Sequence, residues 1–428
     1  MGNDLKNKFE TTTIALDSVG CKLNQAEIES LTGQFAQAGY RIVPTAEVAD
    51  VYILNTCTVT HVADRKSRQK IRMAQRQNPD VRIVVTGCYA ERSLGKLTDI
   101  PEVSFVIGNG QKMNSLNILV EKGYLSRPSG HNSLNNINHM RRTRAFIKVQ
   151  DGCHHYCAYC IVPSVRATIS SVPLGHVIEE VRQRVAVGYR EVVLTGTEIG
   201  LYHFDGVDLG SLLEHILEET DISRLRLSSL QPGRISSYLV GLWRDKRLCP
   251  HFHLSLQSGS DSVLKRMKRR YTATEFRQAV ALIREILPEA AITTDVIVGF
   301  PGETEAEFQE SYDLCRQMKF ARIHVFPYST RPGTEAATLR KKIDESIKKQ
   351  RSRKMLALSK NSLHNYSRLF LERTMPVLWE KQSDDGVWSG FTGNYIKVYA
   401  KSREDLTNKP TPVKLCKNRG DGLWGELI

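Results

Sequence analysis

The chain has 428 residues, too many for one ordinary domain, and its 41% hydrophobic and 25% charged content suits a globular fold. No apolar run reaches membrane-spanning length and no secretory apolar core follows MGNDLKNKFE, so a cytoplasmic address and no membrane partner are expected. A formal charge of +14 favours a polyanionic partner, and nine cysteines, an odd number, favour metal or redox roles over a disulfide set.

From residue 11 to 123 strand and helix patterns alternate. TTTIALDSVGC, ADVYILNTC and VRIVVTGC are apolar, β-branched runs, each ending in a cysteine. A βαβα order implies a parallel sheet, which brings Cys21, Cys57 and Cys88 to the edge where the strands end and where such folds bind ligands. Residues 124–142, rich in Ser, Asn, Gly and Arg without periodicity, read as a linker.

From 143 to 370 six strand-like runs recur with helices between them: AFIKVQDG, EVVLTGTEIG, RLRLSSLQP, FHLSLQSG, ITTDVIVGFPGE and RIHVFPYST. Six β/α units predict an open or partial barrel, shorter than the usual eight. The carboxyl ends of these runs are polar and Gly-rich, as a site requires. A basic helical stretch over 340–370 follows. Between 373 and 428 the runs MPVLWE, GVWSGFTGN, YIKVYA, TPVKLC and GLWGEL fit a small five-strand β-barrel.

The densest chemistry lies in DGCHHYCAYC, Asp151 to Cys160. A tetrahedral zinc site would need a fourth ligand beside Cys153, Cys157 and Cys160, which His154 or His155 could offer. A four-iron cluster normally takes four thiolates, so three leave one iron open to a substrate or cofactor. Cys249, Cys315 and Cys416 lack partner motifs and read as structural. The basic runs LKRMKRRY (264–271) and 340–353 are either solvated faces or phosphate contacts, and Trp388, Phe391 and Tyr395 either stack on bases or fill the barrel.

The C-x3-C-x2-C spacing directly after the first barrel strand resembles the radical S-adenosylmethionine (SAM) enzymes. SVGCKLNQAE, NTCTVT and TGCYAE resemble the cysteine motifs of the methylthiotransferase N-terminal domain. VLTGTEIGLY, RLSSLQP, HLSLQSGSDSVLKRMKRRYT, TTDVIVGFPGET and HVFPYSTRPGT resemble that family's radical domain, and the terminal segment resembles its TRAM domain, an RNA-binding barrel.

The resemblance implies a catalytic 4Fe–4S cluster on Cys153, Cys157 and Cys160 whose open iron holds SAM, and cleavage of SAM to a deoxyadenosyl radical. It also implies an auxiliary 4Fe–4S cluster on Cys21, Cys57 and Cys88. Its SAM pocket would draw on Tyr159, Thr195, Gly196, Ser229, Gln257, Asp295, Gly299 and Glu303.

GCKLNQ and NTCTVT are most similar to the branch that methylthiolates threonylcarbamoyladenosine beside the tRNA anticodon. The implied partners are tRNA and a flavodoxin- or ferredoxin-like electron donor, with the protein acting as a monomer. Rival readings are isopentenyladenosine or a ribosomal protein as substrate and, from another class, a non-catalytic iron–sulfur or zinc RNA-binding protein. Where the family reads on to an Arg-Gly and further arginines, this chain has VPSVRATISSVP, so only Arg166 remains and no role is assigned to it.

Overall fold

The computed structural model describes residues 12–128 and 143–428, so most of the expected linker, from 129 to 142, lies outside the described residues. The chain forms two compact units. The first runs through residue 140 and takes in Ser164–Arg166, and the second holds the rest.

In the first unit β1 (Thr13–Ser18), β2 (Arg41–Ile42), β3 (Val51–Thr56), β4 (Arg82–Gly87) and β5 (Phe105–Ile107) form one parallel sheet in the order β2-β1-β3-β4-β5. The helices are α1 (Lys22–Gln37), α2 (His61–Gln77), α3 (Cys88–Arg92), α4 (Leu94–Thr98) and α5 (Ser115–Glu121). All six residues of β3, VYILNT, are buried, as a central parallel strand covered on both faces requires. Side chains alternate across the pleat: Tyr52 and Leu54 join one core with Ile83 and Val85, while Val51 and Ile53 join the opposite core with Ile14, Leu16 and Val84.

The second unit begins with β6 (Arg144–Asp151), α6 (Val162–Val165, whose last two residues belong to the first unit), β7 (Ser170–Ser171), α7 (Leu174–Ala186), β8 (Glu191–Gly196), the small hairpin β9 (His203–Phe204) and β10 (Val207–Asp208), and α8 (Leu209–Glu219). It continues through β11 (Arg224–Leu227), β12 (Ser229–Leu230), α9 (Ser237–Gly241), β13 (His251–Gln257), α10 (Asp261–Arg266), α11 (Ala273–Ile286), β14 (Ala291–Val298), α12 (Glu305–Gln317), β15 (Arg322–Pro327) and α13 (Glu345–Arg368). The strands make two four-stranded arrays, β11-β8-β6-β7 and β12-β13-β14-β15, so the third sequence run is split at Ser228 and passes from one array to the other. All pair in parallel except the short β7. This is the open six-unit barrel expected.

The basic helix α13 is less solvated than its sequence suggests. Met355 and Leu358 enter the barrel core, and Lys348 and Arg351 are buried. Arg351 pairs with Glu303 at 2.7 Å and with Glu305 at 3.2 Å, so its charge is matched inside the fold.

The chain ends in a closed barrel, β16 (Thr374–Gln382), β17 (Val387–Thr392), β18 (Lys397–Lys401), β19 (Pro410–Arg419) and β20 (Gly422–Leu427), ordered β16-β17-β18-β20-β19. Trp379, Val377, Val398, Leu415 and Leu423 fill it. It packs on the amino ends of the core strands through one buried carboxylate. Glu191, the first residue of β8, is ion-paired with Arg144 at 2.9 Å, Arg224 at 2.8 Å and Arg226 at 3.0 Å. Arg144 reaches Glu380 of β16 at 2.6 Å, and Arg224 donates to the Phe391 carbonyl at 3.2 Å. The Arg226 guanidinium lies 3.9 Å over the Tyr395 ring. Trp388 is buried, and Phe391 and Tyr395 face this arginine set, so these aromatics serve packing rather than base stacking. Among the described residues no helix is long and apolar enough to cross a membrane.

Burial alone would raise the Glu191 carboxyl, but Arg226, Arg224 and Arg144 outweigh it and hold the group at about 2, below its ordinary 4.5. A carboxylate with a depressed folded value stabilises above its unfolded value and loses that contribution as pH falls through the folded one. Stability should therefore decline as pH drops from about 4.5 towards 2, by about 3 kcal/mol from this group. Glu191→Gln should cost about 3–5 kcal/mol at neutral pH, because three arginines lose their counter-charge. It should also flatten the acid limb of a melting-temperature titration. A Glu191→Gln variant with the wild-type acid limb would contradict this.

Candidate functional site

Both cysteine sets sit where parallel strands end, and a shared backbone device puts them there. Gly20, Gly87 and Gly152 each precede a cysteine and each holds a left-handed φ, of 111°, 98° and 74°. A Cβ at Gly87 would lie 2.4 Å from the Thr56 carbonyl oxygen, and one at Gly152 would lie 2.2 Å from that of Thr168. Only glycine tolerates both the conformation and the approach. The chain thus turns sharply at the strand end and presents the next side chain at the sheet edge.

In the first unit Cys21 caps α1, Cys57 follows β3 and Cys88 opens α3. Cys57 and Cys88 are buried, and Cys21 is exposed. Burial pushes the Cys57 thiol up to about 12; the Val59 backbone opposes this, and the nearby Cys21 and Cys88 add to the rise. The sulfur of Cys88 faces two nitrogen donors, Arg166 Nε at 3.4 Å and Asn109 Nδ2 at 3.8 Å. The Arg166 guanidinium is buried and also donates to Glu27, at 2.8 and 2.9 Å, and to Asn24 at 3.0 Å. Glu27 in turn pairs with buried Lys112 at 2.6 Å. Hydrogen-bond donors aimed at sulfur suit a metal-bound thiolate better than a neutral thiol.

In the second unit the loop after β6 carries Cys153, Cys157 and Cys160. It is pinned by backbone bonds from Ala158 to Met267 (3.0 Å) and from Ala336 to Ala158 (2.7 Å). Burial pushes the Cys153 thiol up to about 11 and that of Cys160 up to about 12. The sulfurs of Cys153 and Cys157 contribute to the rise at Cys160, as expected of three thiols gathered together. Arg269 Nη1 donates to Cys157 Sγ at 3.2 Å, its Nη2 to Gln231 at 3.2 Å and its Nε to the Tyr271 hydroxyl at 3.0 Å. Tyr159 is half-buried with its ring edge-on to Phe300, centroids 6.5 Å apart.

Of the remaining pocket candidates, most lie at strand ends, and Asp295 lies within its strand. Thr195 and Gly196 end β8, Ser229 opens β12, and Gln257 ends β13 with a φ of 67°. Asp295, on β14, pairs with His253 at 3.1 Å. Gly299 follows β14, and its N–H donates to Glu303 at 2.6 Å. With Arg351 also on Glu303, that carboxylate holds the GFPGE turn closed.

Four residues carry weight that sequence reasoning did not assign. Glu198, in TGTEIG, accepts from His155 Nε2 at 2.5 Å and lies 3.6 Å from the Cys153 sulfur. Arg269 stands in LKRMKRRY, where buried Leu264 and Met267 at helical spacing mark an inward-facing run. Arg166 and Glu27 meet across more than a hundred positions, and no local pattern signals that. Of the two adjacent histidines, His155 is the one turned inward, while His154 is exposed.

A single metal ion gathers its ligands about 2.0–2.3 Å from itself, whereas a four-iron cube gives each thiolate a separate iron and spaces them wider. Among the described residues, the ligand atoms within 4.8 Å of one another are those of Cys153, His155 and Glu198, and neither cysteine triplet is drawn in so tightly. In each cysteine triplet a guanidinium nitrogen donates to one sulfur, which suits a thiolate-held cluster.

Residues 13–108 match the model of the Uncharacterized protein family UPF0004, and residues 147–315 match that of the Radical SAM superfamily. The chain is 38% identical over 427 residues to the threonylcarbamoyladenosine tRNA methylthiotransferase MtaB of Bacillus subtilis, covering 95% of this chain and 94% of that protein. It belongs to the radical SAM methylthiotransferase family. Within this family it falls in the threonylcarbamoyladenosine branch, and the enzyme of that name from Aquifex aeolicus is 40% identical over 352 residues, covering 79% of this chain and 86% of that one. The family's cofactors are 4Fe–4S clusters and SAM. The fold is shared with a radical SAM methyltransferase, TsrM from Kitasatospora setae, solved with cobalamin and a [4Fe-4S] cluster bound (TM-score 0.57, 15% identity, covering 76% of this chain and 77% of that one).

In this methylthiotransferase, Gly152→Ala should force the cysteine loop off the Thr168 carbonyl and block loading of the second unit alone. About four of about eight irons per chain should be lost on reconstitution, with the first unit still loaded. Iron and sulfide assay checks this, and a full complement of iron in the Gly152→Ala variant would contradict it.

Proposed function

We propose that the chain methylthiolates threonylcarbamoyladenosine next to the anticodon of tRNA. Cys153, Cys157 and Cys160 would hold the cluster that binds SAM, and Cys21, Cys57 and Cys88 the auxiliary cluster. The observation that carries this reading is the repetition of a three-thiol set at the carboxyl edge of two separate parallel sheets. Relatives with the named activity extend over nearly the whole chain. Residues 11–123 would form the auxiliary domain, 143–370 the radical core and 373–428 the RNA-binding barrel. A flavodoxin- or ferredoxin-like donor, a monomeric state and a cytoplasmic location complete the proposal.

When bound, the clusters and SAM supply the one-electron chemistry, the sulfur and the methyl group. The residues of the chain bind, orient and shield. Arg269 donates to the Cys157 sulfur and orients it. Ala158 and Tyr159 of the cysteine loop pack against Phe300 and Tyr328, an apolar cluster that helps keep water from that side of the loop. The closed GFPGE turn, Asp295 within β14 and the positions Thr195, Gly196, Ser229 and Gln257 would offer polar groups to SAM.

A second reading has one observation in its favour: Cys153, His155 and Glu198 are close enough for a single zinc ion. Anaerobic reconstitution separates the two. The proposed enzyme takes up about eight irons and cleaves SAM under reduction. Cys157→Ala should lose about four irons and all SAM cleavage. Cys88→Ala should lose about four irons and the methylthiolated nucleoside, while still cleaving SAM. Mass spectrometry of digested tRNA reads the product. A chain that holds zinc and leaves SAM intact, or one that modifies only isopentenyladenosine, overturns the proposal.

A further inference from the structure

Helix α2 carries six basic residues, Arg65, Lys66, Arg68, Lys70, Arg72 and Arg76, against one acidic residue, Asp64, which is buried. Two of the six have partners within the fold: Arg68 donates to the Tyr89 hydroxyl at 2.9 Å, and Lys70 pairs with Asp17. The other four are exposed, and among the described residues no hydrogen bond or ion pair engages them. Some exposed cations elsewhere in the chain do find carboxylates, as Arg182 does with Glu219 and Arg373 with Glu289.

The arrangement is a row rather than a scatter. Positions 65, 72 and 76 fall within about 40° of one another around the helix axis and span about 16 Å along it. Gln69 lies beside them, and exposed Val62 and Met73 line one side of the row. Arg72 and Arg76, a like-charge pair four residues apart, weaken the helix that carries them. Nothing among the described residues compensates. The helix begins, behind its Thr60 cap, four residues after Cys57. The row therefore runs away from the edge that carries the auxiliary cysteines.

We propose that the Arg65–Arg72–Arg76 row, with Lys66 beside it, is a track for the sugar–phosphate backbone of the tRNA. This rests on the reading that tRNA is the substrate. A row of planar guanidinium forks along one helix face matches a chain of successive phosphates. A protein partner would have to supply carboxylates in one line over the same length.

The test uses the full-length, cluster-loaded chain and tRNA bearing threonylcarbamoyladenosine. Affinity is measured by fluorescence anisotropy between about 50 and 200 mM salt. Replacing Arg65, Lys66, Arg72 and Arg76 together by Gln should make the log Kd against log salt slope shallower by about 3 and weaken binding by about 10-fold or more near 150 mM salt. Iron content and SAM cleavage without tRNA should not change. The Arg65→Lys, Arg72→Lys, Arg76→Lys variant keeps the charge and should keep the slope.

An unchanged slope in the Gln variant overturns the proposal. So does an unchanged slope with slower reduction by an acidic electron-transfer protein, which would give the row to that protein. Wild-type chain that fails to bind tRNA at all would instead refute the substrate reading, and the inference with it.

Discussion

Parallel strands all end at the same edge of their sheet, and the chemistry of this chain depends on that constraint. Both faces of such a sheet are covered, so polar function is confined to the rims. Cys21, Cys57 and Cys88 stand within three residues of a strand's end, as does Cys153, which opens the loop that carries Cys157 and Cys160. A left-handed glycine ahead of Cys21, Cys88 and Cys153 makes the turn tight enough that the side chain stays at the rim instead of drifting into a long loop. The two sheets differ in length, connectivity and neighbours, yet solve the same placement problem with the same dipeptide.

Each unit also buries a carboxylate among cations, at positions with different consequences. Glu191 sits at the amino edge of the core strands, where it binds the terminal barrel to the radical core through Arg144 and Arg224. Glu27 sits on α1 behind the cysteine edge of the first sheet and gathers Lys112 and Arg166, the latter facing the Cys88 sulfur. A buried charge tolerates few alternative arrangements, because losing one partner leaves another uncompensated. One carboxylate therefore defines how barrel and core pack, and the other defines which guanidinium reaches the sulfur.

Much of this was legible in the sequence, and the reason is periodicity. Apolar β-branched runs such as VYILNT and VRIVVTG announce buried parallel strands, and cysteines at their ends follow from the alternation alone. The five short terminal runs announced a closed barrel. What stayed hidden was contact between distant positions. Arg166 looked like a remnant of a longer arginine motif, because its partner Glu27 lies in another part of the chain. Glu198 was visible only as a polar strand end, and His155 gave no sign of turning towards it. The basic runs at 264–271 and 340–353 misled in the other direction: charge density in a sequence does not reveal that Arg269 and Arg351 point inward to a sulfur and a carboxylate. Phe391 and Tyr395 likewise lie under arginines that precede them by more than 150 positions.

The tripeptide Ser164–Arg166 belongs to the first unit although it follows the third cysteine of the second. The polypeptide thus crosses between the units more than once, and the boundary in space is not a boundary in the gene. A fragment ending in the linker would lack the guanidinium that neutralises Glu27 beside Lys112, and a fragment starting there would carry a stranded arginine. Modules joined by a single tether can be exchanged, duplicated or lost independently. A chain stitched in this way inherits its two halves together, and a recombination event between them would have to repair a buried ion pair before the hybrid could fold.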